Sequence, residues 1–480
     1  MIQKQDLIKI NNYLWEIPKT FRQKMKVPAR VYTSEKMLDE ILKDKSLWQL
    51  VNLSCLQGIS RYGLAMPDCH EGYASPIGGV AAFDLQEGII SPGICGYDIN
   101  CGMKLLISSL KEEEIKPFLE QLANEIFKAV PSGLGKGRKE KFTIGEIDEI
   151  LTKGAKRFLE LDYLEKEDIE NCEAEGSLEW ADASRVSLEA KKRGQDQIGT
   201  LGSGNHFLEI QKVDKIFNKE AAEKFGLFEN QVTIMIHTGS RGLGHQVATD
   251  YIRKFLGLMN KYQIKVPDKE FACVPFNSPD GQDYFKAMAA AANYAWANRA
   301  MIAYYTRLAW QKIIGQRSNL KPLYDVAHNI IKIEEYEINN KKLKLAVHRK
   351  GATRSFPPNH PEIPNKYQAI GQPVLIPGSM GTASYVLVGT FRAEESFYST
   401  AHGSGRTMSR HQALKNVSSE ELVANLKKRG IIIKSASFKG LAEEAPAAYK
   451  DIEEVIEVVH QAGLSEKVAR LVPLAVIKGE

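Results

Sequence analysis

The order of hydrophobic and polar positions divides the first part of the chain into strand-like and helix-like stretches. The run NNYLWEI is strand-like, and a helical pattern follows near Ser34–Lys43. Residues 51–110 hold short apolar runs between glycines and prolines, which indicates strands joined by tight turns. A helix is predicted over about 111–129. The first 50 residues are therefore interpreted as a small leading unit, followed by a strand-rich stretch.

Helical patterns dominate the middle of the chain. Residues 132–195 are charged and mostly helical in pattern, and they begin with a turn rich in glycine and lysine. We interpret this segment as a helical insertion or a lid. An alanine-rich helix near 283–314 has aliphatic and aromatic residues on nearly every face, which predicts that it is mostly buried. The strand-like runs HFLEIQKV and VTIMI lie between these two regions, each beside a glycine-rich turn.

Short strands and glycine turns return after residue 322, and they define the expected fold. The stretch 415–463 has a helical pattern, and a short tail ending in Lys478, Gly479 and Glu480 follows it. Polar residues that could carry chemistry are spread from position 68 to position 478. We therefore predict a mixed α/β (α+β) fold. It would be a single large catalytic domain over 1–480 with buried mixed sheets and one central cleft, while the strand order stays open.

Composition places the chain among ordinary globular proteins. Of its 480 residues, 43% are hydrophobic and 26% are charged. No apolar run approaches the roughly 20 residues that span a bilayer, and no N-terminal segment has the pattern of a secretion signal. A cytoplasmic protein without membrane association is therefore expected. The six cysteines include no CxxC pair, so any special cysteine is expected to be a thiolate or a metal ligand rather than part of a disulfide framework.

The charge balance is only mildly basic. A net charge of +5 does not indicate a nucleic-acid partner by itself. Basic residues nevertheless cluster locally, and the clusters are Lys136–Lys139, Lys191–Arg193, Arg349 to Arg354, and Arg406 with Arg410. Such clusters could follow a phosphate backbone or could simply be solvated surface charges, and the sequence leaves both interpretations open.

Two turns framed by glycine or proline carry potential metal ligands. The loop GYDINCGM places Asp98 and Cys101 three residues apart between glycines. A carboxylate and a thiolate aimed at one point suit a first-row divalent metal ion. Upstream, MPDCHEGYASPIGG sets Asp68 and His70 in a similar turn. Both motifs could also be structural loops with a buried cysteine and a local side-chain turn.

Two glycine-rich turns beside predicted strands carry histidines. In GTLGSGNHFLEI, Asn205 and His206 stand at the entrance of a strand, and Glu209 follows three residues on. Glycines let backbone amides approach a phosphate, and a nearby histidine can bind a metal ion. In VTIMIHTGSRGLGHQ, His237 ends an apolar run and Arg241 precedes a predicted helix, an arrangement that can place a metal ligand beside an anion site. A hairpin turn with a packed histidine is the plainer interpretation of the first motif.

Three motifs in the last third of the chain complete the candidate set. His328 lies inside the apolar run LYDVAHNII, where a histidine is more often a core residue than a ligand. PGSMGTASYVLVG offers Ser379 and Ser384 as small hydrogen-bonding groups. In YSTAHGSGRTMSR, His402 directly precedes the glycine turn 403–406. A neutral imidazole is a competent phosphorus nucleophile, and the adjoining turn could hold the phosphate that it attacks.

These groups together predict a two-metal site with a nucleophile. The histidines that fall at glycine turns or at ends of apolar runs are 206, 237, 245, 328 and 402. A thiolate such as that of Cys101 can bridge two ions, and paired ions about 4 Å apart suit phosphoryl chemistry. The ligand types alone suggest zinc as readily as manganese.

Seven motifs in a fixed order carry a family resemblance. They are GYDINCGM, GSGNHFLE, HTGSRGLGHQV, DVAHN, RKGATR, PGSMGTASY and AHGSGR. Together they resemble the RtcB-type RNA-splicing ligases, which join RNA 3′-phosphate and 5′-hydroxyl ends. The resemblance runs from about residue 60 to the C-terminus, and the chain length is nearer to the archaeal members than to the shorter bacterial ones. It implies an RtcB-like fold and allows segment 132–195 to face RNA.

The resemblance implies a centre of two Mn²⁺ ions. Cys101 would bridge the two ions. His237 and His328 would complete the protein ligands of one ion, and Asp98 and His206 those of the other.

The resemblance also implies nucleotide and RNA contacts. His402 would be the nucleophile that takes GMP from GTP, and Asp68 would be an acidic residue of the same site. The nucleotide contacts would be Asn205, His206, Glu209, Ser379, Ser384, His402, Gly403, Gly405, Arg406, Tyr449 and Lys478. The RNA phosphates would be held by Arg241, Lys350, Arg354 and Arg410.

The implied activity is a GTP-dependent RNA ligation in tRNA splicing or RNA repair. A 2′,3′-cyclic phosphate would be opened to a 3′-phosphate, activated through a histidine–GMP intermediate and joined to a 5′-hydroxyl. RNA and GTP would be the partners, with archease as an activator protein, and the chain would be a monomer. One alternative is a dinuclear metal-dependent phosphoesterase, which needs the same ligands but not His402. The other is a non-catalytic RNA-binding protein, whose RNA binding would survive the loss of Cys101.

Overall fold

The computed structural model describes residues 2–437 and 440–479 of the chain. In these ranges the strands are β1 (Ile8–Asn11), β2 (Leu14–Ile17), β3 (Ala29–Tyr32), β4 (Ile59–His70), β5 (Ile77–Asp84), β6 (Ile89–Ile90), β7 (Gly102–Lys111), β8 (Phe207–Ile216), β9 (Gln231–Thr238), β10 (Val274–Pro275), β11 (Lys321–Ala327), β12 (Asn329–Ile338), β13 (Lys341–Lys350), β14 (Ala352–Arg354), β15 (Pro373–Ile376), β16 (Ser384–Gly389), β17 (Ser399–Ala401), β18 (Ile432–Ser435) and β19 (Ser465–Lys478).

The α-helices of the same ranges include those predicted near 34–43, 111–129 and 283–314, and also Ser46–Leu53 and Lys219–Phe225, which were not predicted. They are α1 (Glu35–Ile41), α2 (Ser46–Leu53), α3 (Pro92–Cys95), α4 (Glu112–Ile115), α5 (Leu119–Ala129), α6 (Ile144–Lys153), α7 (Lys156–Glu160), α8 (Lys166–Glu170), α9 (Leu188–Gly194), α10 (Lys219–Phe225), α11 (Arg241–Leu258), α12 (Pro279–Ile314), α13 (Arg410–Asn416), α14 (Ser419–Lys428) and α15 (Ile452–Gln461). None of these helices is both long and apolar enough to cross a membrane.

Two mixed sheets organise the fold and confirm the predicted α/β class. The first sheet has the order β1-β2-β3-β4-β5-β13-β12. Its β3 and β4 are parallel, and its other neighbouring strands are antiparallel. The second sheet has the order β11-β7-β9-β8-β19-β16-β15, with β18 added parallel to β19. The leading strands β1–β3 therefore continue the first sheet instead of forming a separate unit.

The long helix α12 is the buried helix that the alanine-rich pattern predicts. The Ser278 side chain accepts a hydrogen bond from the Gly281 amide and caps its N-terminus, and Pro279 occupies the first turn, where its missing N–H is not needed. The helix packs against α5, α6 and α11 and against β9. Apolar residues cover nearly its whole circumference because neighbours surround it.

Segment 132–195 is largely helical, as predicted, and it shares a core with α12. Ile147, Ile150 and Phe158 are at most 1% exposed and pack in the same apolar cluster as the alanines of α12. Burial of this kind ties the segment to the body of the molecule.

The prediction of a short C-terminal tail is wrong, because these residues form a strand. Residues 465–478 form β19, which lies between β8 and β16 inside the second sheet. Residues 473–478 are all buried, so the run PLAVI lacks the polar alternation that marks a half-exposed strand. The predicted helical stretch is also interrupted by β18 and confined at its end to α15.

Candidate active site

One end of the second sheet gathers residues that are far apart in the chain. Met103 of β7 pairs with His237 of β9. His237 also pairs with Phe207 of β8, and Phe207 pairs with Lys478 of β19. Directly paired residues in antiparallel strands have Cα atoms about 5 Å apart. The register therefore sets His237 and Lys478 in one row across the end of the sheet.

Three more predicted residues flank the same row. Cys101 directly precedes β7, His206 directly precedes β8, and His328 directly follows β11. The strand β11 pairs with β7 so that Ala327 lies opposite Gly102. The turns that carry the three side chains therefore meet at one end of the sheet.

The metal-ligand cluster consists of Asp98, Cys101, His206, His237 and His328. The Cys101 Sγ lies 3.3 Å from His237 Nε2 and 3.5 Å from His206 Nε2. The His206 Nε2 lies 2.9 Å from an Asp98 carboxylate oxygen. Ligand atoms of Asp98, Cys101 and His206 all lie within 4.8 Å of one another, a spacing that could hold a metal ion.

The two remaining histidines of the metal-ligand cluster are buried and held by their Nδ1 atoms. His237 Nδ1 lies 3.2 Å from the Asn205 carbonyl, and His328 Nδ1 lies 2.8 Å from the Thr353 hydroxyl. Burial, and then the charge of neighbouring histidines, lowers the pKa of both imidazoles well below its usual value. Neutral imidazole is the form that binds metal ions.

The donor set of the cluster fits divalent metal ions. The His328 Nε2 is buried with no hydrogen-bond partner among the described residues, as a ligand atom without its metal would be. Burial, followed by the negative charge of Asp98, raises the pKa of the Cys101 thiol. A coordinated metal ion reverses that effect, because it binds the deprotonated sulfur.

A buried arginine holds the loop of the metal-ligand cluster. Arg299 of α12 is 0% exposed, and its guanidinium donates to Asn100 O at 2.7 Å and to Thr238 O at 3.0 Å. Its Nε donates to the Asp325 carboxylate at 2.8 Å. Arg299 thus ties the Asp98–Cys101 loop to the end of β9 beside His237. Sequence analysis missed it, although a lone arginine in an apolar helix is itself a signal.

His402 forms a second centre with the buried carboxylate of Asp68. The His402 Nδ1 lies 2.5 Å from Asp68 Oδ2, and the same oxygen accepts the backbone N–H groups of His402 and Gly403 at 3.0 and 3.2 Å. Burial acts to raise the pKa of Asp68, but His402 and the Lys450 ammonium outweigh it and lower that pKa. Asp68 is therefore an ionised carboxylate that orients the imidazole.

The glycine turn after His402 packs directly on β4. Gly405 has φ +70°, and a Cβ built on it would lie 2.0 Å from the Asp68 carbonyl oxygen. Only glycine allows this approach without moving the backbone. The turn 403–406 is therefore held against the strand that carries Asp68.

Beyond the turn lies a group of polar side chains. Arg406 Nη1 donates to the Tyr449 hydroxyl at 3.0 Å and to a Glu444 carboxylate oxygen at 3.2 Å. The Tyr449 hydroxyl also donates to Glu444. We call Asp68, His402, Arg406, Glu444 and Tyr449 the His402 cluster. Glu444 was missed in the sequence, because nothing in its local pattern distinguishes it from Glu443.

The two clusters border one cavity of about 530 Å³. The sequence-predicted residues that line it are Asp98, Cys101, Asn205, His237, His328, Lys350, Ser379, His402, Gly403, Gly405, Arg406, Arg410, Tyr449 and Lys478. His402 and His328 each belong to one of the two clusters, and their ring centroids lie 5.6 Å apart.

Two predicted nucleotide contacts lie behind the cavity wall. Glu209 is 2% exposed, and its carboxyl accepts a hydrogen bond from Gln211 Nε2 at 2.7 Å. Gln211 also donates to the Ser384 hydroxyl at 3.1 Å. Burial raises the pKa of Glu209 to about 8, so this carboxyl group is protonated at neutral pH.

Four basic residues were predicted to hold RNA phosphates, and their surroundings differ. Arg410 lines the cavity, and Arg241 lies beside the glycine turn before His206, with its Nε on the Thr200 hydroxyl at 3.2 Å. Lys350 directs its ammonium to the carbonyls of three residues, Tyr73, Ser75 and Gly93.

Lys350 and Arg354 both contact other groups of the protein in the structure. Lys350 lines the cavity, but its three N–H donors are already satisfied by carbonyl oxygens. Arg354 is 1% exposed, and its guanidinium lies 2.6 Å from Glu362 and 3.4 Å from Glu173.

Comparison with known proteins identifies the family. The family "tRNA-splicing ligase RtcB" matches residues 49–479. The chain is 51% identical over 477 residues to a "tRNA-splicing ligase RtcB" of Archaeoglobus fulgidus, covering 98% of this chain and 99% of that protein. The chain belongs to the RtcB family. An "RNA-splicing ligase RtcB" of Mycobacterium tuberculosis is 50% identical over 434 residues, covering 90% of this chain and all of the relative.

RtcB membership confirms the resemblance carried by the seven ordered motifs, and with it the prediction of an enzyme of the ligase class. The greater coverage by the archaeal RtcB protein agrees with the expected length class.

Proposed function

We propose that this chain is a GTP-dependent RNA ligase that joins a 2′,3′-cyclic phosphate or 3′-phosphate end to a 5′-hydroxyl end, in tRNA splicing or RNA repair. The names of its relatives supply the substrate class, since they are described as tRNA-splicing or RNA-splicing ligases. The observation that carries the mechanism is the pairing of His402 with buried Asp68, at the wall of the cavity that the metal-ligand cluster also borders.

The His402 imidazole is arranged to act as a nucleophile. With its Nδ1–H directed to the Asp68 carboxylate, Nε2 carries the lone pair. Nε2 attacks the α-phosphorus of GTP, so that an N–P bond forms, the bond to the bridging oxygen breaks, and pyrophosphate leaves. The Asp68 charge stabilises the imidazole as it becomes positive, as a carboxylate does beside a catalytic histidine.

The two transfers that follow return the enzyme to its starting state. An oxygen of the RNA 3′-phosphate attacks the phosphorus of the histidine-bound GMP, and the N–P bond breaks. The 5′-hydroxyl oxygen then attacks the RNA phosphorus, forms the phosphodiester and expels GMP, while the hydroxyl proton is lost to solvent. Activation with GMP supplies a leaving group that a phosphate monoester lacks. A cyclic phosphate end is opened to the 3′-phosphate by water before these steps.

The metal-ligand cluster would hold two Mn²⁺ ions. Cys101 would be shared, with His237 and His328 on one ion and Asp98 and His206 on the other. Bound divalent ions would supply positive charge that offsets the negative charge of the reacting phosphates. The preference for manganese rests on the family resemblance.

The remaining residues would bind substrates. We assign GTP contacts to Asn205, Glu209, Ser379, Ser384, Arg406, Tyr449, Lys478 and the backbone of Gly403 and Gly405. Arg241 and Arg410 would contact RNA phosphates. We further propose that residues 1–480 work as one catalytic domain and as a monomer.

The intact mass of the protein after incubation with GTP and Mn²⁺ tests the proposal. We expect the wild type and a His460→Ala control, altered on α15 outside the cavity, to gain one GMP. His402→Ala should gain none. The assay is repeated with archease present, because an activator could be required for the adduct to form.

A negative result would favour a different enzyme. If the wild type forms no adduct under either condition, the metal-ligand cluster would instead support a dinuclear metal-dependent phosphoesterase. In that case His402→Ala would retain phosphoester hydrolysis.

A further inference from the structure

Three rings form a row next to the metal-ligand cluster. The rings of Tyr73 and Tyr97 lie 5.6 Å apart, centroid to centroid, with an interplanar angle of 57°. The Tyr97 ring is stacked on His245 at 4.9 Å and 26°. Tyr97, the middle ring, directly precedes Asp98 in the chain, so the row passes beside a predicted metal ligand. We call Tyr73, Tyr97 and His245 the ring row.

The ring row faces the cavity. Tyr73 and Tyr97 line the cavity and are half-buried, and His245 is exposed. The two tyrosine rings also pack against the apolar core around α12. Within the described residues, neither tyrosine hydroxyl has a hydrogen-bond partner. Ring surface and polar edges are therefore left for a bound molecule.

The backbone beneath the ring row is fixed by Lys350. Its ammonium donates to the carbonyl of Tyr73 and, at 3.1 Å, to that of Gly93. The Lys350 side chain thus connects the turn that carries Tyr73 with α3, which precedes Tyr97. Rings fixed before binding lose little conformational entropy when a ligand stacks on them.

A basic surface continues from the ring row. Arg193 at the end of α9 donates to Gln246 of α11 at 2.7 Å, one residue after His245. Lys192 and Arg193 are exposed. After burial, the charge of Arg193 is the next cause that lowers the pKa of His245. Lys192 and Arg193 therefore stand where they could hold phosphates of a strand that passes the ring row, whereas Lys191 is buried and pairs with Asp148 at 2.6 Å.

We propose that Tyr97, supported by Tyr73 and His245, stacks on the base of the RNA nucleotide that carries the reacting 3′-phosphate. This inference rests on the proposed RNA ligase function. Tyr97 and Asp98 are neighbours in the chain and both line the cavity, so a base stacked on Tyr97 would belong to a nucleotide at the metal-ligand cluster. Every base has a π face, so aromatic stacking would seat the RNA end without demanding a particular sequence. The guanine of GTP would lie at the other end, beside Tyr449 and Arg406.

A fluorescent RNA tests the stacking directly. The RNA carries 2-aminopurine at its 3′-phosphorylated terminal nucleotide and is titrated with protein and Mn²⁺ in the absence of GTP. Binding to the wild type and to Tyr97→Phe should quench the fluorescence. Tyr97→Leu should lose most of the quenching and bind about tenfold more weakly, equivalent to about 1.4 kcal/mol. Tyr163→Leu, which alters a partly exposed tyrosine outside the cavity, should behave as the wild type.

An RNA whose terminal nucleotide lacks its base separates stacking from structural damage. The wild type and Tyr97→Leu should bind this RNA equally, because no base is present to stack. The inference is overturned if Tyr97→Leu keeps the quenching, or if it weakens binding of both RNAs by the same factor.

Two further results keep the test interpretable. His245→Ala removes an exposed ring with little risk to folding, and about a threefold loss of affinity for base-bearing RNA is expected. If its affinity and quenching equal those of the wild type while Tyr97→Leu fails to fold, the inference is wrong. If the wild type binds neither RNA, the RNA ligase proposal fails, and this inference fails with it.

Discussion

The metal-ligand cluster and the His402 cluster border one cavity but are held in different ways. The first is placed by strand register, since His237 lies within β9 and Cys101, His206 and His328 lie at strand ends. The second is placed by side chains that reach across the fold. Asp68 on β4 holds His402, which is 334 residues away in the chain, and Arg406 contacts Tyr449.

This difference predicts how each cluster responds to mutation. Register is shared by many backbone hydrogen bonds, and Arg299 adds buried support from behind. Loss of one supporting side chain should therefore loosen the metal-ligand cluster only partly. The His402 imidazole and its backbone N–H are both held by one carboxylate, so loss of Asp68 should misalign the nucleophile.

The largest effect is expected for a ligand itself. Cys101→Ala should weaken metal binding by at least about a hundredfold, since loss of outer-shell partners alone costs roughly 10–100-fold. Ligation should fall with it. Bound manganese, measured by elemental analysis after equilibrium dialysis, checks the prediction. Cys273→Ala, which alters a buried cysteine outside the cavity, should bind metal normally, and equal metal content in the two variants would contradict the assignment.

The next largest effect should separate the two clusters. Asp68→Asn should slow guanylylation of His402 by about a hundredfold or more, because the amide cannot stabilise the positive imidazole. Metal binding should be unchanged. The pKa of Asp68 lies below its usual 3.8, so the carboxylate is ionised above pH 4 and the defect should persist throughout that range. A normal adduct rate at pH 7 would remove Asp68 from the mechanism.

Two buried arginines give a matched comparison. Arg299→Lys should weaken metal binding by about 10–100-fold, as expected for an outer-shell partner. Arg349→Lys alters an equally buried arginine that pairs with Glu334 at 2.6 Å in the first sheet. Both variants should lose stability, by up to about 3 kcal/mol, but only the first should lose metal affinity. Calorimetric titration with Mn²⁺ and urea unfolding measure the two effects, and parallel losses of metal affinity would make Arg299 a purely structural residue.

The smallest effect is a change in pH dependence. Burial raises the pKa of Glu209 from 4.5 to about 8, so between these values the folded state holds a proton that the unfolded state has lost. The free energy of unfolding should therefore fall as pH rises from about 4.5 to 8. Glu209→Gln should remove this contribution.

Glu457 serves as the control for Glu209, because its pKa is shifted in the opposite direction. The hydrogen bond from Lys467, which is the largest cause, lowers the pKa of Glu457. Glu457→Gln should therefore leave the slope between pH 5 and 8 as in the wild type. Thermal unfolding midpoints across this range make the comparison, and identical slopes for wild type and Glu209→Gln would refute the buried protonated carboxyl.

Much of the molecule was predictable because its signals are local. The helix near Ser34–Lys43, the uniformly apolar α12 and the strands beside His206 and His237 each follow from spacing within a few residues. The ordered motifs identified the family, which the comparisons confirm. The individual site assignments remain proposals to be tested as described above.

Other features could not be predicted, because they depend on contacts with residues that are distant in the chain. Lys350 and Arg354 stand in a basic cluster of the sequence, but the local motif does not show that carbonyl oxygens surround one and that Glu362 pairs with the other. Glu444 carries no distinctive motif. The last strand was mistaken for a tail, because burial on both faces removes the alternation that identifies a strand.

The sequence by itself determined the chemical types present: the Asp, Cys and His ligands, the histidine before a glycine turn, and the helices and strands with clear periodicity. Only the tertiary structure decided which of these groups meet. Strand register is set by hydrogen bonds between segments that can be hundreds of residues apart in the chain. The exposure or pairing of a charged side chain depends on which residues pack over it. Neither quantity is encoded within the few residues of a local motif.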